Sequence, residues 1–431
     1  MRRFVIVTSE FPPEPTVSGR MASDLALYLA AKGHDAKVIC PYPSRPGALD
    51  YPKPLRGAVE RERREGVSVV RVPSRVAPQS RFAGRMLESW SFGRWSSRFV
   101  WEGGPLPDAV YSATWPMLAQ AWIARRAARL GVAHIAHIMD LYPESALLKV
   151  PGWVQWLTGR ALVTLDRWNA WRSNPLVVIS EAMRQTYIRS RGLPAQRVAV
   201  VGTWQDETPF LVLPEREEAA QAYGVPTDRF TFLFLGNIGP VAGVEHLIEG
   251  FSRASLSGGQ LVIAGEGTRK PACLELAKRC PGKIRFLSEP NVKRVPLLQA
   301  LADVCLLPVR RGAAISSIPS KLSSYMLSAK PVVASVDEQS DSARLIRTAR
   351  CGWVIPPEEA DALAQKMKEM TFLEPEDLAE RGLSGRSYAL EHLSKTRGVQ
   401  RLGDMLIGAA ESGRYQDMLR TPQENVVSSG Y

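Results

Sequence analysis

Long hydrophobic runs are missing from this chain. Nothing approaches the roughly 18 consecutive apolar residues of a membrane-spanning helix. The opening "MRRFVIVTSEFPPE" has four apolar residues in a row, too few for the core of a secretory leader, so a cytoplasmic chain is expected. The five cysteines (Cys40, Cys273, Cys280, Cys305 and Cys351) are odd in number and scattered, with no C-x-x-C and no histidine cluster. That excludes a disulfide framework and a zinc site, and the thiols are expected reduced and mostly buried. No G-x-G-x-x-G follows the first apolar run and no G-x-x-x-x-G-K-[ST] occurs, which argues against a nicotinamide enzyme and a P-loop NTPase. No RNP, helix-turn-helix or zinc-finger pattern is present, so no nucleic-acid partner is expected.

An excess of positive charge is missing from the second half. Residues 206–431 carry 27 Lys+Arg against 28 Asp+Glu, whereas residues 1–205 carry 28 against 15. Ten of the eleven tryptophans also lie in 1–205, Trp353 being the exception. Cations and indoles enriched together suit a surface that meets an anionic, partly apolar partner. Within it, "RFAGRMLESWSFGRWSSRFVW" (81–101) interleaves arginine with aromatics and is expected to lie as a helix on an anionic membrane interface, the alternative being a helix packed on its own domain. The run "RERRE" (61–65) reads as a solvated loop.

Both halves alternate continuous apolar runs with helical patterns, as parallel sheets covered on both faces do. Strands are expected at 4–8, 36–40, 67–72, 108–113, 132–138, 176–180 and 197–201, then at 230–235, 260–264, 284–288, 304–309, 331–335 and 352–355. The carboxylate-rich stretch 206–228 reads as a linker. The expected division is a membrane-facing Rossmann-like domain at 1–205 and a second Rossmann-like domain at 206–385. Helices at 386–412 would cross back to the first domain, and 413–431 would form a disordered tail. Ligands of such sheets bind beyond the carboxyl ends of the strands.

Several motifs fall at those ends. Glycine clusters follow three strands: "SGR" with Gly19 and Arg20, "LGNIGPVAG" with Gly236 and Asn237, and "AGEGTRK" with Gly265, Glu266 and Gly267. Each lets backbone N–H groups approach phosphate oxygens, and glycine at such turns also has a purely steric use. "PVRRGAAISSIPSK" (308–321) delivers Arg310, Arg311 and Lys321 around Ser316, Ser317 and Ser320. Arg311 and Lys321 suit a diphosphate, Arg310 a solvated position. Pro319 is expected to open a helix, with Ser320 helping to satisfy its free N–H groups and Lys321 in the first turn. A cation there opposes the helix dipole unless an anion lies between them. "HIMDLYPES" (137–145) sets His137 and Asp140 at a strand end, where they can meet a substrate hydroxyl or phosphate.

These motifs together resemble family 4 glycosyltransferases from residue 1 to about 400, with "DLYPES" similar to a "DLWPES" turn and "RRGAA…PSK" similar to the colanic acid and related cell-surface polysaccharide transferases. The resemblance implies a GT-B fold, two doubly wound Rossmann-like domains facing each other across a cleft. It implies retaining transfer from a nucleotide-diphosphate sugar, UDP-sugar favoured, to a lipid-pyrophosphate-linked or glycan acceptor, with no obligatory metal, on the inner face of the cytoplasmic membrane. By it, Gly19 offers its N–H to the pyrophosphate, Arg311 and Lys321 answer the leaving charge, and His137 lies near the donor sugar. The family's E-x7-E pair falls on Ser316 and Ser324, and the basic residue after "GN-x-G" is absent, with Ala242 before Gly243. A catalytically weak GT-like scaffold or partner subunit is the alternative, and a sugar-nucleotide epimerase a third. The oligomeric state is not legible.

Overall fold

The computed structural model describes residues 1–14, 16–44, 58–75, 82–113, 117–144, 152–288, 291–313 and 318–412. Ser316, Ser317 and the expected tail at 413–431 lie outside them. The chain forms two compact units, residues 1–201 with 399–431, and residues 202–398.

The first unit is built on β1 (Arg3–Val7), β2 (Asp35–Pro41), β3 (Glu60–Arg64), β4 (Val67–Val72), β5 (Ala109–Ala113), β6 (Ala133–Ile138), β7 (Leu176–Val178) and β8 (Val198–Val200). They lie in the order β3-β4-β2-β1-β5-β6-β7-β8, parallel except for β3. The "RERRE" run is therefore largely a strand. Every residue of β3 is exposed, and its charged side chains protect an edge of the sheet. Around the sheet run α1 (Val17–Ala31), α2 (Phe82–Phe99), α3 (Met117–Leu130), α4 (Gly152–Trp171) and α5 (Glu181–Arg191). Val5, Val7, Ile39, Val70 and Val110 pack on Phe92 and Phe99 of α2 and on Ala119, Ile123 and Ala127 of α3. Gly93 lets those two helices touch, since a β-carbon there would lie 2.9 Å from Ala119 Cα.

The second unit contains α6 (Arg216–Tyr223), β9 (Phe230–Leu235), α7 (Val244–Ala254), β10 (Gly259–Ala264), α8 (Lys270–Ala277), β11 (Ile284–Leu287), α9 (Val295–Ala300), β12 (Val304–Pro308), α10 (Ser320–Leu327), β13 (Val332–Ser335), α11 (Asp341–Thr348), β14 (Gly352–Ile355), α12 (Ala360–Met370) and α13 (Pro375–His392). The order β11-β10-β9-β12-β13-β14 is wholly parallel and reverses direction between β9 and β12. That reversal is the topological switch point, where open α/β sheets bind ligands. The expected linker at 206–228 is largely part of this unit. Phe210, Ala219, Ala220 and Val225 are buried in its core, because the apolar face of α6 outweighs the polar composition around it. A last helix, α14 (Lys395–Glu411), packs in the first unit, where Gly403 meets the Tyr28 ring and Tyr28 donates to Asp404 at 3.0 Å.

Candidate functional site

The loops after β9 and β10 interlock through three glycines. Gly236, Gly265 and Gly267 have φ of 131°, 148° and 156°, a region that strains any side chain. A β-carbon on Gly265 would sit 2.0 Å from Gly236 O, and one on Gly267 2.3 Å from Ile238 O and 2.6 Å from Asn237 Oδ1. Backbone bonds from Gly236 N to Ala264 O (2.9 Å) and from Ile238 N to Glu266 O (2.8 Å) close the pair, while the Glu266 carboxylate turns outward to Lys270 at 2.6 Å. Lys321 reaches this cluster from the first turn of α10. Its Nζ lies 4.2 Å from the centroid of the buried Phe234 ring, and its stem runs over Gly236. Tyr325, one turn on, clamps the end of β9, accepting from Leu235 N at 3.0 Å and donating to Leu235 O at 3.4 Å.

The start of α10 departs from expectation. Pro319 occupies the cap position and makes no side-chain cap bond, while Ser320 is the first helical residue and is exposed. No hydroxyl caps the helix here, so its first N–H groups and Lys321 share one end. Ser324 faces inward and accepts from Gln299 Nε2 at 2.7 Å, and Gln299 Oε1 accepts from Ser328 at 2.5 Å. Arg311 is exposed and donates to Pro357 O at 3.2 Å, with Glu359 at 3.8 Å. Arg310, expected in solvent, is the better held. Its N–H donates to Val241 O at 3.1 Å, and its guanidinium lies 3.8 Å from Glu245 Oε2 and 4.0 Å from Glu358 Oε1. Burial alone would raise the Glu245 carboxyl, but its own backbone N–H and Arg269 hold it below the usual value.

In the first unit the expected strand-end pair divides. Asp140 is exposed in the turn after β6, but His137 is fully buried. Its Nδ1 bonds Tyr111 Oη at 3.0 Å and its Nε2 lies 3.3 Å from Val201 O. Burial pushes its pKa down to about 4, so it is a neutral imidazole joining three strand ends rather than a group open to a substrate. Gly19 is likewise corrected. Its N–H is donated to the cap residue Thr16 at 3.2 Å, and a β-carbon there would lie 2.8 Å from that oxygen. Arg20 follows in α1, half-buried.

Sequence reasoning missed what holds the Asp140 turn. Arg191, 2% exposed, binds Asp166 Oδ2 through Nε at 2.8 Å, and its NH1 and NH2 reach Glu144 at 2.7 and 2.8 Å. Tyr187 donates to Asp166 Oδ1 at 3.1 Å. One buried guanidinium thus joins α4, α5 and the "DLYPE" turn. A lone carboxylate inside the apolar run "ALVTLDRWNAW" is the signal that pointed to it.

Helix α2 is corrected in part. Phe92 and Phe99 belong to the core and Trp95 packs on it, so this is not a helix lying wholly on a membrane. Its outer face carries Leu87, Trp90, Arg94 and Arg98, beside Trp122, Arg125, Arg126 and Arg129 on α3, all exposed. Among the described residues no helix is long and apolar enough to cross a membrane.

Two parallel-sheet Rossmann-like units, the second with a glycine-lined switch point under a lysine, define a GT-B glycosyltransferase. The chain matches the glycosyl transferase 4-like domain over residues 18–204 and glycosyl transferases group 1 over 229–371, so both units carry glycosyltransferase domains. It is 25% identical over 411 residues to a putative colanic acid biosynthesis glycosyl transferase, WcaI, of Escherichia coli K12, covering 91% of this chain and 97% of that protein. Among solved structures, sucrose-phosphate synthase from Thermosynechococcus elongatus is similar in fold with a TM-score of 0.69 at 15% identity, covering 96% of this chain and all of that one. HepE from Anabaena, solved in complex with UDP, has a TM-score of 0.66 at 15% identity over 94% of this chain and all of that one.

Proposed function

We propose that this glycosyltransferase moves a sugar from a nucleotide-diphosphate sugar, UDP-sugar before others, with retention, to a lipid-pyrophosphate-linked acceptor during cell-surface polysaccharide assembly. One observation carries the reading: Lys321, in the first turn of a helix that no side chain caps, lies over Gly236, which follows β9 at the switch point of the second sheet. In the transfer, negative charge grows on the leaving diphosphate, and a cation aligned with a helix N-terminus stabilises that charge more than it stabilises the ground state. Side chains and backbone answer the charge, so transfer is expected to persist in EDTA. The WcaI name supports the polysaccharide context, and the UDP-bound HepE structure supports the donor class.

The arginine and tryptophan face of α2 and α3 fits the anionic cytoplasmic leaflet, with indoles at the headgroup level and guanidinia on phosphate. A thermal-shift screen of UDP, GDP and their sugars tests the donor. A stabilising nucleotide whose effect disappears in Lys321→Ala supports the reading, and a panel in which none shifts the transition rejects it.

A further inference from the structure

Away from the loops that carry Gly236 and Gly265, the second unit holds a pocket of about 750 Å³ whose lining includes Arg350, Trp353, Phe372, Asp377, Glu380 and Arg381. Its place follows from topology. Arg350 precedes β14, and Phe372 follows the end of α12, which returns antiparallel to the strands. Both therefore lie at the amino ends of the parallel strands, whereas Gly236, Gly265 and the start of α10 lie at the carboxyl ends. The pocket is at the opposite pole of the sheet from the donor loops.

Its lining is unusual in what it leaves unused. Arg381 is held over the Trp353 ring, 4.6 Å from the centroid. Phe372 is 85% exposed. Among the described residues, Arg350, Arg381, Asp377 and Glu380 make no ion pair and no side-chain hydrogen bond, although cations and carboxylates line one recess. Arg350 also stands at φ 50°, a left-handed position just past the end of α11 where glycine is the strain-free residue.

We infer that this pocket is a second saccharide site, which holds a neutral oligosaccharide away from the reacting end. The choice of ligand class rests on the transferase reading above; the site itself does not. A pyranose presents a flat patch of C–H groups rimmed by hydroxyls that both donate and accept. The exposed Phe372 ring meets the first, guanidinia without a hydrogen-bond partner donate to the second, and unpaired carboxylates accept from it. A third carboxylate of the lining, Glu369, is paired with Lys366, and the two unpaired cations and two unpaired anions that remain cancel, so the recess has no net pull on a phosphate or a metal ion, and its charges oppose an acyl chain.

The test is saturation-transfer NMR on the full chain with maltohexaose, cellohexaose, a β-1,3-linked glucohexaose and an α-1,6-linked mannohexaose. At least one is expected to bind with a dissociation constant near ~1 mM. Phe372→Ala, at an exposed ring, and Arg381→Gln, at a half-buried guanidinium, should each weaken it about fivefold or more. Lys321→Ala should leave it intact. No binding by any hexasaccharide, or binding indifferent to both pocket variants, or binding lost in Lys321→Ala, overturns the site. If the pocket variants behave as expected while Lys321→Ala leaves nucleotide-dependent stabilisation unchanged, the donor reading fails and the second site stands.

Discussion

Lys321 occupies the space that a β-carbon on Gly236 would need: the ideal position lies 2.4 Å from Lys321 Cε and 3.2 Å from Nζ. Gly236→Ala therefore displaces the lysine and also forces alanine into φ 131°, a strain of about 1–3 kcal/mol. Lys321→Ala removes the cation with little effect on folding. Transfer is expected to fall by about a hundredfold or more in either variant. Because both act through one side chain, the double variant should lose little beyond the worse single one, and initial-rate double-mutant cycles measure this. Additive losses would show that Gly236 acts apart from Lys321.

Arg191 is the keystone of the turn that carries Asp140. Arg191→Ala would leave the buried Asp166 carboxylate without its cation, a loss of about 3–5 kcal/mol, and would release Glu144. Urea unfolding of the two forms should separate their midpoints while leaving the slope unchanged. A shift under about 1 kcal/mol would mean that water replaces the guanidinium.

Much of this architecture was legible because continuous apolar strands alternate with helices, and that pattern set thirteen of the strands to within about two residues. The edge strand β3 was not, because its five residues are all charged and only pairing with β4 makes them a strand. The glycines after β9 and β10 and the lysine of α10 could be read as one site, since each follows a strand end. His137 and Gly19 could not. Whether an imidazole meets solvent or Tyr111, and whether an N–H meets a ligand or Thr16, depends on partners 26 residues away and three residues away, and spacing cannot choose between them.

Two neutral histidines give the first unit an acid limit. His134 lies between Ser112 at 2.8 Å and Ser173 at 3.2 Å, and burial holds both His134 and His137 near pKa 4 against 6.5 for an exposed imidazole. The unfolded chain binds the extra protons first, so stability is full above pH 6.5 and falls as pH drops toward 4. Each histidine is expected to cost on the order of 2 kcal/mol at pH 5. Melting temperature followed from pH 7.5 to 5 should decline, and the decline should flatten in His134→Gln and His137→Gln. Equal slopes in all three forms would mean that carboxylates set the acid limit.

The outer face of α2 and α3 is expected to bind anionic vesicles. Arg94 sits over the exposed Trp90 ring at 5.9 Å, so a guanidinium and an indole are held together at the surface. Trp90→Ala with Arg94→Gln should lower sedimentation with phosphatidylglycerol vesicles several-fold, and roughly 0.5 M salt should do the same to the parent chain. Binding equal on phosphatidylcholine would reject the electrostatic account.

Arg310 and Arg311 are adjacent in sequence but placed differently, and the comparison between them decides where the donor charge lies. The β9–α7 turn "GNIGPVAG" has no cation of its own, and Arg310 is bonded onto it through Val241 O, with Cγ only 3.6 Å from the ideal β-carbon position on Gly243. Its Nε is buried with no hydrogen-bond acceptor, and its two carboxylate neighbours stand at 3.8 and 4.0 Å, contacts a diphosphate can outcompete. Arg310→Gln is therefore expected to raise the KM for the nucleotide sugar about 10- to 100-fold, with kcat changed less and the melting temperature nearly constant. Arg310→Lys should recover part of the loss, because a point charge lacks the fork. Arg311→Gln, at the exposed Pro357–Glu359 end, should change KM by less than about threefold. The reverse ranking in initial-rate measurements would move the diphosphate to the loop after β14.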